Sequence, residues 1–101
     1  EPPNHCTPFI PAPDGRISGK RPAAFEVRYR GAWRAEQEPA DWWKAIVETT
    51  LGLLQQTGVS PNQILCVTHC TQLLGILPMS AKTGGLGRAI IWLDGRADVQ
   101  A

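Results

Sequence analysis

Long apolar runs are missing from this chain. Nothing in it approaches the ~20 residues that a bilayer-spanning helix needs, which excludes a helical membrane segment and argues against a membrane partner. The start, Glu1-Pro2-Pro3-Asn4-His5-Cys6, has no basic residues leading into an apolar stretch and does not read as a signal peptide. Cysteine is scarce and odd in number, three in 101 residues, so a disulfide framework is not expected and a reducing cytoplasm is the default location. An excess of one charge is also missing. Ten Lys and Arg face nine Asp and Glu, a net charge of +1. The basic residues Arg16, Lys20, Arg21, Arg28, Arg30 and Arg34 lean toward the first third, with Phe25, Tyr29 and Trp33 among them. Strand alternation turns Phe25 and Tyr29 away from the face bearing Arg28 and Arg30. The run therefore reads as a solvated strand face, and no nucleic-acid partner is expected. Internal repeats and low-complexity tracts are absent as well.

What is present fits one domain and is too short for two. A chain of this size buries roughly two-thirds of its unfolded surface, so its core is thin. Hydrophobic residues make up 43%, which suits a globular segment rather than a disordered tail. Residues 1–13 carry Pro2, Pro3, Pro8, Pro11 and Pro13. Proline donates no ladder hydrogen bond, so an irregular start is expected in place of a regular central strand. Pro13-Asp14-Gly15-Arg16 is a turn. Residues 17–20 and 24–30 read as short strands, the second with Phe25, Val27 and Tyr29 on a core face and Glu26, Arg28 and Arg30 in water. Glu38-Pro39-Ala40-Asp41 opens a helix, because proline suits the first helical position and an acid favours the positive helix end. Trp43, Ile46, Val47, Thr50 and Leu54 follow at helical spacing, with Leu53 flanking the stripe, and Gly58 stops the helix, giving residues 39–57. Residues 64–68 form a compact apolar run bounded by turn signals, the pattern of a buried strand. Residues 73–77 and 89–92 read as two further strands, joined as a hairpin by the glycine-rich loop 80–87. The class is mixed α/β.

Chemistry-bearing residues are few. Cys66, His69 and Cys70 are metal-ligand types, as are His5 and Cys6, but strand alternation separates Cys66 and Cys70 from His69, and no zinc spacing is matched. Free cysteine is a common small core residue, and that reading is preferred. A His69–Cys70 nucleophile pair fails because adjacent strand residues diverge. Thr83-Gly84-Gly85-Leu86-Gly87 lacks the Lys and hydroxyl ending of a phosphate loop. Trp42 and Trp43 are expected in the core. Trp92, just before Leu93-Asp94-Gly95-Arg96, offers an aromatic face beside an acid and an arginine, a common way to grip a polyol.

Three blocks in order resemble the N-terminal domain of FGGY carbohydrate kinases, especially xylulokinase-like members. They are Glu36-Gln37-Glu38-Pro39-Ala40-Asp41-Trp42-Trp43, the stretch Ile64-Leu65-Cys66-Val67-Thr68-His69-Cys70-Thr71-Gln72-Leu73-Leu74-Gly75, and Ala89-Ile90-Ile91-Trp92-Leu93-Asp94-Gly95-Arg96-Ala97. Together they span most of residues 13–101. The resemblance implies a partial ribonuclease-H-like (actin-like ATPase) domain: N-terminal strands, one long helix, a buried strand and a hairpin. It implies that Gln72, Leu74, Trp92 and Asp94 line a sugar or polyol site, with Gln72 at the sugar-contacting turn. Leu73 takes the usual methionine's place, and Leu74 stands where many members carry a histidine that bonds a sugar hydroxyl. Arg96 matches an arginine following the acid.

The family's phosphate-binding hairpin, Asp-x-Gly-Thr-x-x-x-Lys, falls on or just before residues 2–9, which hold no Asp, Gly or Lys. Glycine lets amides approach phosphate oxygens, whereas proline has no amide to offer. The family's catalytic aspartate and second domain lie beyond Ala101. No catalytic, cofactor-binding or metal residue is therefore expected in this chain. ATP and Mg2+ are expected only of an intact parent, whose remainder would be the chain's partner. The reading is an incomplete FGGY domain over residues 1–101, inactive alone, with apolar segments such as residues 64–67 partly exposed. The alternative is a small non-catalytic α/β binding or interaction domain.

Overall fold

Proline and glycine set the outline of the first strands. The computed structural model describes residues 5–98. The chain divides into two units, Glu1–Phe25 with Trp42–Cys70, and Glu26–Asp41 with Thr71–Ala101.

In the first unit, β1 (His5–Cys6) pairs antiparallel with β4 (Ala23–Ala24), and β2 (Phe9–Pro11) pairs antiparallel with β3 (Ile17–Lys20). The described part of the proline-rich start is thus not irregular, as its composition predicts, but forms two short ladders. Its prolines sit where a donor is not needed: Pro8 offers its carbonyl to the Arg21 amide at 3.1 Å, and Pro11 closes β2 after a register shift. Pro2 and Pro3 lie outside the described residues. The intervening turn is fixed by Asp14, whose carboxylate accepts from the Arg16 amide at 3.0 Å and from Arg16 Nε at 2.7 Å.

Helix α1 (Pro39–Thr57) has the bounds that Pro39 and Gly58 predict. Its first three residues belong to the second unit and the rest to the first. Gly58 takes φ +68 and donates its amide to the Leu54 carbonyl, ending the helix. The buried face differs from the predicted stripe. Ala45, Thr49 and Leu53 are buried, whereas Trp43, Ile46 and Val47 are exposed. The C-terminal end of the buried face lies close against β3: a Cβ added at Gly19 would fall 2.7 Å from Thr57 Cγ2 and 3.3 Å from Leu53 Cδ1. Thr49 is buried without an unmet hydroxyl, because Oγ1 donates to the Ala45 carbonyl at 2.6 Å.

A one-turn 3-10 helix, Pro61–Gln63, follows. Residues 64–68, expected as a buried strand, have no strand partner among the described residues. Leu65 is 96% exposed and Val67 86%. A strand is buried only when neighbours take up its amides and carbonyls; here the Ile64 amide turns back to the Pro61 carbonyl at 3.1 Å, and no ladder reaches residues 64–68 among the described residues.

In the second unit, β5 (Arg28–Arg30), β6 (Arg34–Gln37) and β7 (Ala89–Ile90) form an antiparallel sheet in the order β5-β6-β7. The predicted strand over residues 24–30 is therefore two separate pieces, and Tyr29 is exposed rather than on a core face. The core holds Ala35, Ala89 and Ile91 together with buried Gln37 and Glu36. The hairpin predicted around loop 80–87 forms, but of residues 73–77 only Ile76 joins a ladder. It exchanges two backbone hydrogen bonds of 2.9 Å with Ile90. Met79 pairs with Leu86, and the Gly87 amide donates to the Pro78 carbonyl at 2.8 Å. Among the described residues no helix is long and apolar enough to cross a membrane.

Candidate functional site

Two bends flank the Ile76–Ile90 pair. At the first, Gln72-Leu73-Leu74-Gly75, Leu74 takes φ +59, in the left-handed region. At the second, the Asp94 amide donates to the Ile91 carbonyl at 2.9 Å and the Gly95 amide to the Trp33 carbonyl at 2.8 Å. Trp92 sits on this turn, just past Ile91, which is buried and bonded through its amide to the Ala35 carbonyl at 3.2 Å. Pairing of Ile76 with Ile90 brings the bends together. Gln72, Leu73, Leu74 and Trp92 line one open cleft of about 330 Å3. The Trp92 ring is half exposed, at 53%.

Of the residues singled out from the sequence, Gln72, Leu74 and Trp92 meet at this cleft, and Leu73 joins them. Asp94 does not line it. Its side chain is 2% exposed and wholly engaged. Oδ2 accepts from the Ala35 amide at 2.8 Å and from Arg96 Nη2 at 2.7 Å, and Oδ1 accepts from the Arg96 amide at 3.1 Å and Arg96 Nε at 2.7 Å. Arg96 Nη2 also donates to Glu36 Oε1 at 2.7 Å, and Arg88 Nη1 stands 3.8 Å from Glu36 Oε2. The Arg96 guanidinium and the Ala35 and Arg96 amides hold the Asp94 carboxyl well below the usual carboxylate range, against the opposing effect of burial. The hydrogen bond from Arg96, with the nearby charges of Arg96, Arg88 and Arg30, likewise lowers Glu36, again against burial. The two acids in turn raise Arg96 further. This cluster clamps β6 to the turn that carries Trp92. Nothing local in the sequence marks Glu36 as a site residue. Its signal is an acid in an apolar-poor strand, meaningful only once Arg96, sixty positions on, is beside it.

The chain matches the family model described as FGGY family of carbohydrate kinases, N-terminal domain, over residues 10–100. The chain belongs to the FGGY family of carbohydrate kinases. No curated protein and no solved structure matches it. The mixed α/β arrangement of strands and one long helix is consistent with the N-terminal domain of this family, which is of the actin-like, ribonuclease-H-like class.

The remaining chemistry-bearing groups of this FGGY chain are not among the residues lining the cleft. Cys66 and Cys70 are exposed and free, and Cys6 is half-buried and free, so none is the core residue expected of a buried strand. Among the described residues no three His, Cys, Asp or Glu are placed to hold a metal ion. In the β2–β3 hairpin the turn groups bond to one another. The Ala12 and Gly15 amides are spent on the Arg16 and Ala12 carbonyls, and Arg16 is paired with Asp14.

Proposed function

We propose that this chain supplies one wall of the sugar site of an FGGY kinase and does not transfer phosphate by itself. The observation that carries the reading is the cleft where Gln72 and Trp92 meet, inside the stretch matched by the carbohydrate kinase family. The half-exposed indole of Trp92 offers a flat apolar face for the C–H side of a sugar or polyol, and the Gln72 amide can both donate to and accept from a hydroxyl. Asp94 acts through structure. By holding Arg96 and the Ala35 amide it fixes the turn on which Trp92 stands, so it is a positioning residue rather than a contact.

ATP with Mg2+ supplies the phosphoryl group in an intact kinase of this family. Residues 2–9, where the family's phosphate hairpin falls by resemblance, hold no Asp, Gly or Lys, which supports a nucleotide phosphate site supplied from outside this chain. Phosphoryl transfer depends on positioning and charge stabilisation, which would come from the partner this reading implies, the remainder of the kinase, in the cytoplasm. The order of the three sequence blocks favours the xylulokinase-like branch, while Leu74 offers no hydrogen bond to a sugar hydroxyl.

The test is titration of 15N-labelled protein with D-xylulose and xylitol, following the Trp92 indole N–H and the Gln72 side-chain amide. Both signals should move together, and Trp92→Ala should abolish the Gln72 response. Mg-ATP should move neither. Silence of both signals at saturating sugar would remove the proposed site.

A further inference from the structure

The β5–β6 hairpin carries more positive charge than it pairs. In its ladder Arg28 lies opposite Glu36, Tyr29 opposite Ala35, and Arg30 opposite Arg34. Opposed residues share a face and successive residues alternate, so Arg28, Arg30, Arg34 and Glu36 stand on one face of the sheet. Glu36 does not serve its own ladder partner. It accepts from Arg96 at 2.7 Å and has Arg88 at 3.8 Å. Arg28 is left with the exposed Glu26, 3.6 Å from Nε, and that Nε is buried without a hydrogen-bond partner among the described residues. Arg30 and Arg34 are exposed and form no salt bridge among the described residues, yet they face each other across the ladder. Like charges directly opposite destabilise an antiparallel pair. An anion held between the two side chains turns that repulsion into attraction.

We propose that this face binds a phosphate dianion through Arg28, Arg30 and Arg34, and holds it without reacting. The site is independent of the sugar reading, because none of these residues lines the cleft. Arginine's planar fork meets phosphate oxygens two at a time. A phosphate group carries close to two negative charges at neutral pH and presents three strong acceptor oxygens. That matches three arginines of which only Arg28 has an acid beside it. A single carboxylate brings half the charge and fewer acceptors. The same dianion is found on free phosphate and on a phosphomonoester, and either source meets the arginines in the same way.

The experiment follows the arginine Nε–H signals of the 15N-labelled chain at neutral pH and low salt. Inorganic phosphate and methyl phosphate are titrated, with sodium chloride of matched ionic strength as the control. Inorganic phosphate should move Arg28, Arg30 and Arg34 along one saturable curve and raise the melting temperature by mass action. Chloride should give only a smaller change that does not saturate. Arg34→Gln should weaken phosphate binding at least about tenfold, the loss of one charge-assisted contact. Arg34→Glu should abolish binding and raise the melting temperature in the absence of phosphate, since Arg30 then faces an opposite charge. Arg34 is exposed, and unchanged amide signals at Ile76 and Ile90 verify that both variants are folded. Equal effects of phosphate and chloride show charge screening alone and overturn the site. Phosphate binding that survives both substitutions overturns it as well. Methyl phosphate bound as tightly as inorganic phosphate supports an ester as the ligand, and failure of methyl phosphate alone supports the free ion.

Discussion

Residues 64–68 and 89–92 are two short apolar runs of similar composition, each bounded by turn residues, and they meet opposite fates. Ala89 and Ile91 are buried. Ala89 and Ile90 pair with Gln37 and Glu36, Ile90 bonds on its other side to Ile76, and Ile91 bonds to Ala35. Leu65 and Val67 are almost fully exposed, and no ladder reaches them among the described residues. Hydrophobicity is therefore a condition for a buried strand and not its cause. The cause is a neighbour on each side that satisfies the backbone, after which side-chain burial follows.

The sharpest test of that contrast is Ile91→Ala. Ile91 is 2% exposed in a small core, and truncating it should cost about 2–5 kcal/mol, the sum of lost transfer energy and the cavity left behind. Urea unfolding and loss of amide protection at Ile76 and Ile90 would register it. A cost below about 0.5 kcal/mol, the range of surface changes, would mean that β7 is no better packed than residues 64–68.

Next in size is the polar half of the same core. Asp94→Asn keeps the volume but removes the charge that Arg96 and the Ala35 amide meet, and should cost about 1–3 kcal/mol. The pH dependence follows from the lowered carboxyls of Asp94 and Glu36. A lowered folded-state pKa contributes stability that is fully present above the ordinary values, 3.8 for Asp94 and 4.5 for Glu36, and is lost as pH falls through the folded-state values. The melting temperature should thus be flat from neutrality down to about pH 5 and fall in stronger acid. The fall should be shallower in Asp94→Asn and Glu36→Gln. An acid transition unchanged by both substitutions would show that the clamp does not hold β6 to the Trp92 turn.

These two tests also mark where the sequence is legible. Helix α1 is announced by local signals, Pro39 at its start and Gly58 at its end, and both act within one turn. The 76–90 pairing is announced by a loop rich in glycine. Strand β6 is not announced. Arg34-Ala35-Glu36-Gln37 has little strand propensity and becomes a central strand because β5 and β7 flank it and Arg96 neutralises Glu36. The helix face is misread for a related reason. Its largest apolar residues form the visible stripe, yet Ala45, Thr49 and Leu53 are the ones buried, and Leu53 lies against Gly19 of β3, more than thirty positions away. At the cleft, Gln72, Leu74 and Trp92 are legible by resemblance, while the buried position of Asp94 depends on the Ala35 amide, 59 positions away. In each case what is missed is a partner remote in sequence.

The smallest expected effect is the most discriminating about residues 64–68. Leu65→Ser replaces a side chain that is 96% exposed and contributes no burial to the fold. Its effect on the unfolding free energy should stay within about 0.5 kcal/mol. Its effect on solubility should run the other way, because an exposed apolar stretch that no ladder reaches among the described residues is a template for intermolecular pairing, and one polar residue interrupts it. Light scattering on heating should therefore begin later in Leu65→Ser than in the parent protein, with the same melting temperature by circular dichroism. If Leu65→Ser instead lowers the melting temperature as Ile91→Ala does, residues 64–68 are packed in solution, and their difference from residues 89–92 disappears. The two measurements separate the two consequences of a missing neighbour: burial that never forms costs nothing when removed, while backbone groups left open remain available to another chain.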